Sequence, residues 1–365
     1  MSLTVRAGIA GGGWPGTMHS KGYATAGGWT VSAVADPIPQ RRAALAAGWD
    51  KARQLADADE VVRDPGVDAV SVCLPTHLHV TTAAAALKAG KHVIVEPPPG
   101  LSAGEAKRLA TAAAKANRVL AYGFQRRFGG AELAAAQAIE KGYAGEPYHV
   151  RATWMRGRGV PAGTGNWYTD VARAGGGALA DLGLHMLDLA WHLLGRPMPT
   201  TVFAVTHQRF AGDVPSGAVN DVEDAAFALV KFDGGRSLEL GVSWAINQAP
   251  AQNGTTCRVY GTTGAVEVYT PAGPVLYRPA GKAAEMKGTP LRQPKTVGHA
   301  AMLRQFREAI QGRARAAVDG EQGILLMQMV EALYRSAEAG RSVEVRTTPR
   351  LEAGATPPAA GEDAG

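Results

Sequence analysis

The chain has 365 residues, enough for two domains of ordinary size. Its 46% hydrophobic and 19% charged residues exclude global disorder and provide for a buried core. The formal net charge is +6, but the basic residues are scattered, as in Arg41-Arg42, Arg126-Arg127 and Arg313 with Arg315, so the charge reads as a mildly basic surface and not as a nucleic-acid footprint.

The first 123 residues alternate strand-like and helix-like segments. Apolar runs fall at Val5 to Ala10, Thr30 to Ala35, Ala69 to Leu74, His92 to Val95 and Val119 to Tyr122, with Ala-rich helical stretches such as Thr81 to Ala89 and Ala103 to Ala116 between them. Short apolar strands separated by helices predict a parallel sheet covered on both faces. After Gly123 a helix is expected at Ala131 to Lys141, and then longer strands dominate. These are Tyr148 to Met155, Thr201 to Gln208, Ala225 to Phe232, Arg236 to Ala245, Cys257 to Gly261 and Ala265 to Tyr269. Asp233-Gly234-Gly235 reads as a tight hairpin, and the whole as an open, mostly antiparallel sheet with one face on helices. Helical stretches are expected at Leu179 to Leu194, His299 to Ile310 and Glu321 to Ala339. The predicted architecture is α/β, with a parallel-sheet domain over 1–123, a second α/β domain over 124–346 and a disordered tail over 347–365.

Cys73 and Cys257 sit in apolar runs and read as small core residues, not as a disulfide framework or a metal site. The first 13 residues form a strand and a glycine loop, not a secretory leader, and no run reaches the roughly 18 apolar residues of a membrane span. The expectation is a soluble cytoplasmic protein with no membrane or nucleic-acid partner.

Gly11-Gly12-Gly13-Trp14-Pro15-Gly16 fits G-x-G-x-x-G directly after the first strand and before a helix. The second strand ends at Asp36, 20 residues after Gly16, where the dinucleotide fingerprint expects an acid. Gly11 permits the tight turn, Gly13 the approach of a pyrophosphate, and Gly16 close packing of helix on strand. The helix N-terminus, which opens on Trp14 and Pro15, offers its free N–H groups and a partial positive charge to phosphate. Asp36 suits ribose hydroxyls and would repel a 2′-phosphate, so NAD is favoured over NADP; Arg41 and Arg42 are the nearby cations that NADP would need.

These features combine with later motifs: Asp68 to His79 (DAVSVCLPTHLH), Ala89 to Glu96 (AGKHVIVE), Gly123 to Phe128 (GFQRRF), Gly175 to His185 (GGGALADLGLH) and Val318 to Glu321. By their order and spacing the chain resembles the Gfo/Idh/MocA family of glucose–fructose oxidoreductase and inositol dehydrogenase, from Ala7 to about Val345. The resemblance implies a Rossmann domain plus an open-sheet domain, with sugars, polyols or cyclitols as substrates. It also implies a homodimer or homotetramer that covers the open sheet. It places Pro75, Thr76 and His79 along the cofactor cleft and Glu96 near the nicotinamide ribose.

Asp181, His185, Asp188 and His192 are spaced 4, 3 and 4 apart in an otherwise apolar helical stretch, which predicts one polar stripe facing a cleft, a ligand or another polar network. The resemblance makes His185 the general base and Asp181 its neighbour, orienting the imidazole or a substrate hydroxyl; Asp188 reads as structural. No metal site is expected. Candidate substrate contacts are Gln125, Arg126, Arg127, Trp154, Arg156, Asn166, Trp167 and Tyr168. The last two aromatics suit either a sugar face or a core or interface role.

One departure stands out. After the Glu96 position, family members usually carry a lysine that hydrogen-bonds the reacting oxygen; here it is Pro97, which can donate nothing. The leading expectation is an NAD-dependent dehydrogenase with His185 as base, helped by Arg126, Arg127 or Tyr168. The alternatives are an NAD-assisted glycosidase or lyase, or a non-catalytic NAD- and sugar-binding regulator.

Overall fold

The computed structural model describes residues 4–161, 165, 167–281 and 285–347. The expected tail from residue 348 onward and the candidate Asn166 lie outside the described residues.

The first lobe alternates as predicted: β1 (Val5–Ala10), α1 (Trp14–Ala26), β2 (Trp29–Ala35), α2 (Pro39–Ala46), β3 (Arg53–Leu55), α3 (Ala58–Arg63), β4 (Ala69–Val72), α4 (Thr76–Lys88), β5 (His92–Val95), α5 (Ala103–Ala116) and β6 (Leu120–Tyr122). All six strands are parallel, in the order β3-β2-β1-β4-β5-β6. Strands β4 and β5 are short apolar runs because helices cover both faces, leaving almost no residue of either strand exposed. The order reverses between β1 and β4, so a crevice opens at the carboxyl ends of those strands, where such sheets bind ligands. The glycine loop after β1, Cys73 to Thr76 after β4 and Glu96 after β5 all lie at that edge.

The second lobe comprises α6 (Gly130–Glu140), β7 (Pro147–Met155), α7 (Val171–Ala174), α8 (Leu184–Leu193), β8 (Pro199–His207), β9 (Ala225–Phe232), β10 (Ser237–Ser243), β11 (Gly254–Gly261), β12 (Ala265–Glu267), β13 (Val275–Pro279), β14 (Met286–Pro290), α9 (Gly298–Ile310), α10 (Gly320–Ala339) and β15 (Val343–Glu344). Its nine strands run in the order β14-β13-β12-β11-β7-β10-β9-β8-β15. Every neighbouring pair is antiparallel except β7 with β10, which run parallel at the centre. One face packs on α6, α8 and α10. On the other face β8 and β9 present Phe203, Val205, Phe227 and Leu229 to the outside, the alternation expected of a sheet with one covered side.

The division in chain order is not the division in packing. Helix α9 returns to the first lobe and packs on α1, and α10 packs on α5 as well as on β8. Three hydrogen bonds seal this return: Tyr122 N–H to Val318 C=O at 2.9 Å, Ala103 N–H to Glu331 Oε1 at 2.7 Å, and the Arg307 guanidinium to Gly27 C=O at 2.6 Å. The α10 start is capped by Asp319, whose carboxylate accepts from Gln322 N–H, and its end by Gly340 in the left-handed region. Among the described residues, no helix is long and apolar enough to cross a membrane, and both cysteines are buried and free.

Candidate active site

The glycine loop is built by close contact. Gly11 adopts φ +104, and a Cβ there would lie 2.2 Å from Cys73 O; a Cβ on Gly16 would lie 1.9 Å from Gly11 O. Gly12 is constrained as well: its Cβ would meet Arg41 Cβ at 2.8 Å and Asp36 Oδ2 at 3.1 Å. Asp36 is buried and holds the loop, accepting from Gly12 N–H at 2.7 Å and from Ile38 N–H at 2.9 Å. Arg42 donates to the Asp36 and Pro37 carbonyls, so of the two nearby arginines one is already committed. Trp14 is exposed at the start of α1, Pro15 follows it, and no side chain caps the helix. Its first N–H groups are therefore left for an anion.

Glu96 lies at the buried floor of the crevice, joined to a residue that sequence reasoning missed. His19 Nε2 meets Glu96 Oε1 at 2.9 Å, and His19 Nδ1 meets Ser71 Oγ at 2.8 Å. Tyr23 OH reaches the same Ser71 hydroxyl at 2.7 Å. Burial opposes the Glu96 charge, but the His19 contact and the nearby His299 and His185 imidazoles outweigh it and hold the carboxyl below its ordinary value. Pro97 follows half-buried, joined to Pro98 by a cis peptide. Pro75 caps α4, and Thr76 and His79 are buried beneath it. Both His79 nitrogens face carbonyls, Pro98 O at 2.9 Å and Leu74 O at 2.7 Å. His79 thus ties the proline loop to the end of β4 instead of presenting a free nitrogen to the crevice.

The predicted polar stripe divides. A π-helical turn over Leu179–Gly183 precedes α8, so the stretch is not one uniform helix. Gly183 N–H bonds Ala178 C=O at 2.9 Å across this wider turn, a feature frequent at functional sites. Glu223 fixes the turn's start by accepting from Gly177 and Leu179 N–H and from Tyr334 OH. Asp181 accepts from Trp244 Nε1 at 2.8 Å, so its partner is the indole and not the His185 imidazole. His185 faces Phe124 and Trp154, with ring centroids at 5.9 and 6.3 Å, and its buried Nδ1 has no hydrogen-bond partner. Asp188 turns away into a buried ion pair with Arg127, which also bonds Ala317 C=O and Gln322. Arg127 is therefore a buried scaffold residue and not a helper of the chemistry. His192, under the field of Arg127 and Arg196, has a buried Nδ1 without a partner.

Arg126 stacks on Trp154, its guanidinium carbon 3.8 Å from the ring centroid, and donates to Tyr269 OH at 3.1 Å. Tyr269 in turn donates to Glu132 Oε1 at 2.6 Å. Arg156 approaches the same indole at 5.3 Å. Trp167 and Tyr168 stack on each other at 3.8 Å, and Tyr168 lies within the field of both Asp181 and Glu96. Gln125 Oε1 and Arg126 Nε are buried without partners. The unpartnered atoms of Gln125, Arg126, His185 and His299 are what a polar ligand would satisfy. Burial first, and then the Arg126 charge, push the His185 imidazole down to about 4. Burial pushes the Asp181 carboxyl up against the opposing Trp244 bond and Arg156 charge. Among the described residues, no group of three or more His, Cys, Asp or Glu side chains is placed to hold a metal.

A Rossmann crevice leading into a buried cluster of histidine, carboxylate and arginine defines a dinucleotide-linked oxidoreductase. Comparison makes this specific. Residues 5–124 match the oxidoreductase family NAD-binding Rossmann fold of GFO/IDH/MocA, and residues 133–267 match the GFO/IDH/MocA C-terminal domain. D-glucoside 3-dehydrogenase of Escherichia coli strain K12 is 31% identical over 341 residues, covering 90% of this chain and 93% of that protein. The scyllo-inositol 2-dehydrogenase (NAD(+)) of Bacillus subtilis strain 168 is 29% identical over 271 residues, covering 74% and 75%. Among solved structures, GenD2 from gentamicin A biosynthesis in complex with NAD superposes with a TM-score of 0.78 at 28% identity, covering 95% of this chain and 98% of that one. The chain belongs to the GFO/IDH/MocA family of NAD-binding oxidoreductases. The close-packed glycine loop, the uncapped α1 and Asp36 fit that cofactor.

Proposed function

We propose that the chain is an NAD-dependent dehydrogenase acting on a secondary alcohol of a sugar, polyol or cyclitol. A glucoside 3-hydroxyl is the first group to test, because D-glucoside 3-dehydrogenase is among its relatives. One observation carries the reading: His185, half-buried beside the crevice, stands between the Phe124 and Trp154 rings with its Nδ1 unpartnered, and burial and the Arg126 charge hold its imidazole below the ordinary value. NAD, when bound, supplies the hydride acceptor. The Gly11–Gly16 loop and the α1 N-terminus hold its phosphates, and Asp36 accepts from ribose hydroxyls. His185 takes the substrate hydroxyl proton, and Asp181, held by Trp244, orients a neighbouring hydroxyl. Arg126 and Arg156, grouped about Trp154, supply the positive field that a lysine at position 97 would have given the developing alkoxide. Gln125 and the stacked Trp167–Tyr168 pair line the sugar side.

The site is tested with NAD and a panel of glucosides, inositols and polyols, following NADH absorbance and product masses together. Net NADH that disappears in His185→Ala supports the dehydrogenase. Bond cleavage without net NADH would instead mark a lyase or glycosidase, and tight binding with neither product a regulator.

A second copy of the chain covers the apolar outer face of β8 and β9, and light scattering giving a monomer at micromolar concentration would refute this. The two free cysteines are in keeping with a reducing cytoplasmic setting.

A further inference from the structure

His299 stands in the first turn of α9, beyond both stretches that match the family. The return of α9 onto α1 carries it into the crevice, where its Cβ is packed so closely that a side chain on Gly22 would meet it at 3.0 Å. Its ring lies edge-on to Trp14 at 5.9 Å and to His19 at 5.7 Å. It is 9% exposed, and its Nε2 is buried with no hydrogen-bond partner. An imidazole nitrogen left unpaired in the interior costs free energy unless something else satisfies it. The surroundings say what that is. Strand order puts Asp36, after β2, on one side of the switch point and Glu96, after β5, on the other. A dinucleotide bound across the crevice has its adenosine end at Asp36 and its nicotinamide end toward Glu96. His299 sits with Trp14, His19 and Glu96, and its field reaches both Glu96 and His185.

We propose that His299 is a cofactor-contacting residue, its Nε2 hydrogen-bonding a ribose or phosphate oxygen on the nicotinamide half of NAD. Helix α9 then closes a binding site that the first lobe alone leaves incomplete.

The test compares His299→Phe with His299→Gln. Phenylalanine keeps the aromatic packing on Trp14 and His19 and removes the nitrogens; glutamine keeps a polar end and removes the ring. NADH affinity is read by fluorescence titration, and AMP, which carries only the adenosine end, by calorimetry. The expected result is NADH binding about 3- to 10-fold weaker in His299→Phe with AMP unchanged, and recovery in His299→Gln. Unchanged NADH affinity in His299→Phe would overturn the proposal. So would an equal loss for NADH and AMP, or a glutamine variant weaker than the phenylalanine one, since each of these marks a packing role.

Discussion

The Arg127–Asp188 pair permits a sharp test of how the histidine-bearing helix is held. Asp188 is 0% exposed and Arg127 is 4% exposed. Arg127 Nε lies 3.1 and 2.9 Å from the two Asp188 oxygens, and Nη2 bonds Oδ1 as well. Asp188→Asn keeps the shape and one acceptor oxygen but removes the charge, leaving a buried guanidinium without a counter-ion and with only neutral acceptors, Ala317 C=O, Gln322 and the remaining amide oxygen. Stranding one member of such a pair costs about 3 kcal/mol or more, roughly two powers of ten in the unfolding equilibrium. Removing both charges in Arg127→Met/Asp188→Leu avoids that penalty. It still strips a donor from Ala317 and Gln322, so the double variant should sit only about 1–2 kcal/mol below the native chain. Urea unfolding followed by tryptophan fluorescence measures all three proteins, with m-values compared to check that the same surface unfolds. A double variant no more stable than Asp188→Asn would refute the reasoning, because the loss would then come from packing and not from an orphaned charge. Since neither residue faces the crevice, KM should stay within a factor of about two wherever the variants are folded.

Three further outcomes are expected. With His185 held to about 4, kcat/KM should stay flat as pH falls through 6.5 and drop only near that lower value; Arg126→Gln should move the break upward, and a native break at 6.5 would contradict the burial argument. Gly16→Ala should weaken NADH binding at least about tenfold, because α1 must move off Gly11 O, whereas a Cβ on Gly13 meets nothing nearer than Pro15 Cδ at 3.7 Å. Gly13→Ala should therefore fold like the native chain and lose NADH affinity alone, an outcome read from melting temperature and fluorescence titration together. His192 is held to about 3, mainly by burial and then by Arg127 and Arg196. Its contribution to stability is full above pH 6.5 and lost toward about pH 3, at up to about 1.4 kcal/mol per pH unit, because the unfolded chain binds the proton first. His192→Leu should flatten the measured slope of stability against pH by about one proton; an unchanged slope would show that the site is wet.

Much of this was legible in local pattern. Val5–Ala10, His92–Val95, Ala103–Ala116 and Ala225–Phe232 fall where apolar runs or helical periodicity put them. The first-lobe strand β3, Arg-Gln-Leu, was invisible because an edge strand with mostly exposed residues carries no apolar signal. The parallel pairing of β7 with β10 was equally hidden, since pairing between distant strands leaves no trace in either segment alone. Asp181 and His185 were found by spacing, but the π turn that carries Asp181 and the Trp244 partner of that carboxylate were not. His19 and His299 are single histidines in helices rich in small residues, and only the fold brings them to Glu96. One clue was available for His19: it follows Gly16 by three residues, on the face that the glycine presses against the sheet.

The return of α9 and α10 to the first lobe also orders the birth of the molecule. A ribosome emits the nucleotide-binding residues first, and domains generally fold as they emerge. Here Tyr122 waits for Val318, Ala103 for Glu331 and Gly27 for Arg307. Until the last helices are synthesised, the faces of α1 and α5 that they cover stay open to water. The nascent chain thus carries an unfinished apolar surface from the emergence of α5 until α9 and α10 follow it, and the crevice is completed only then.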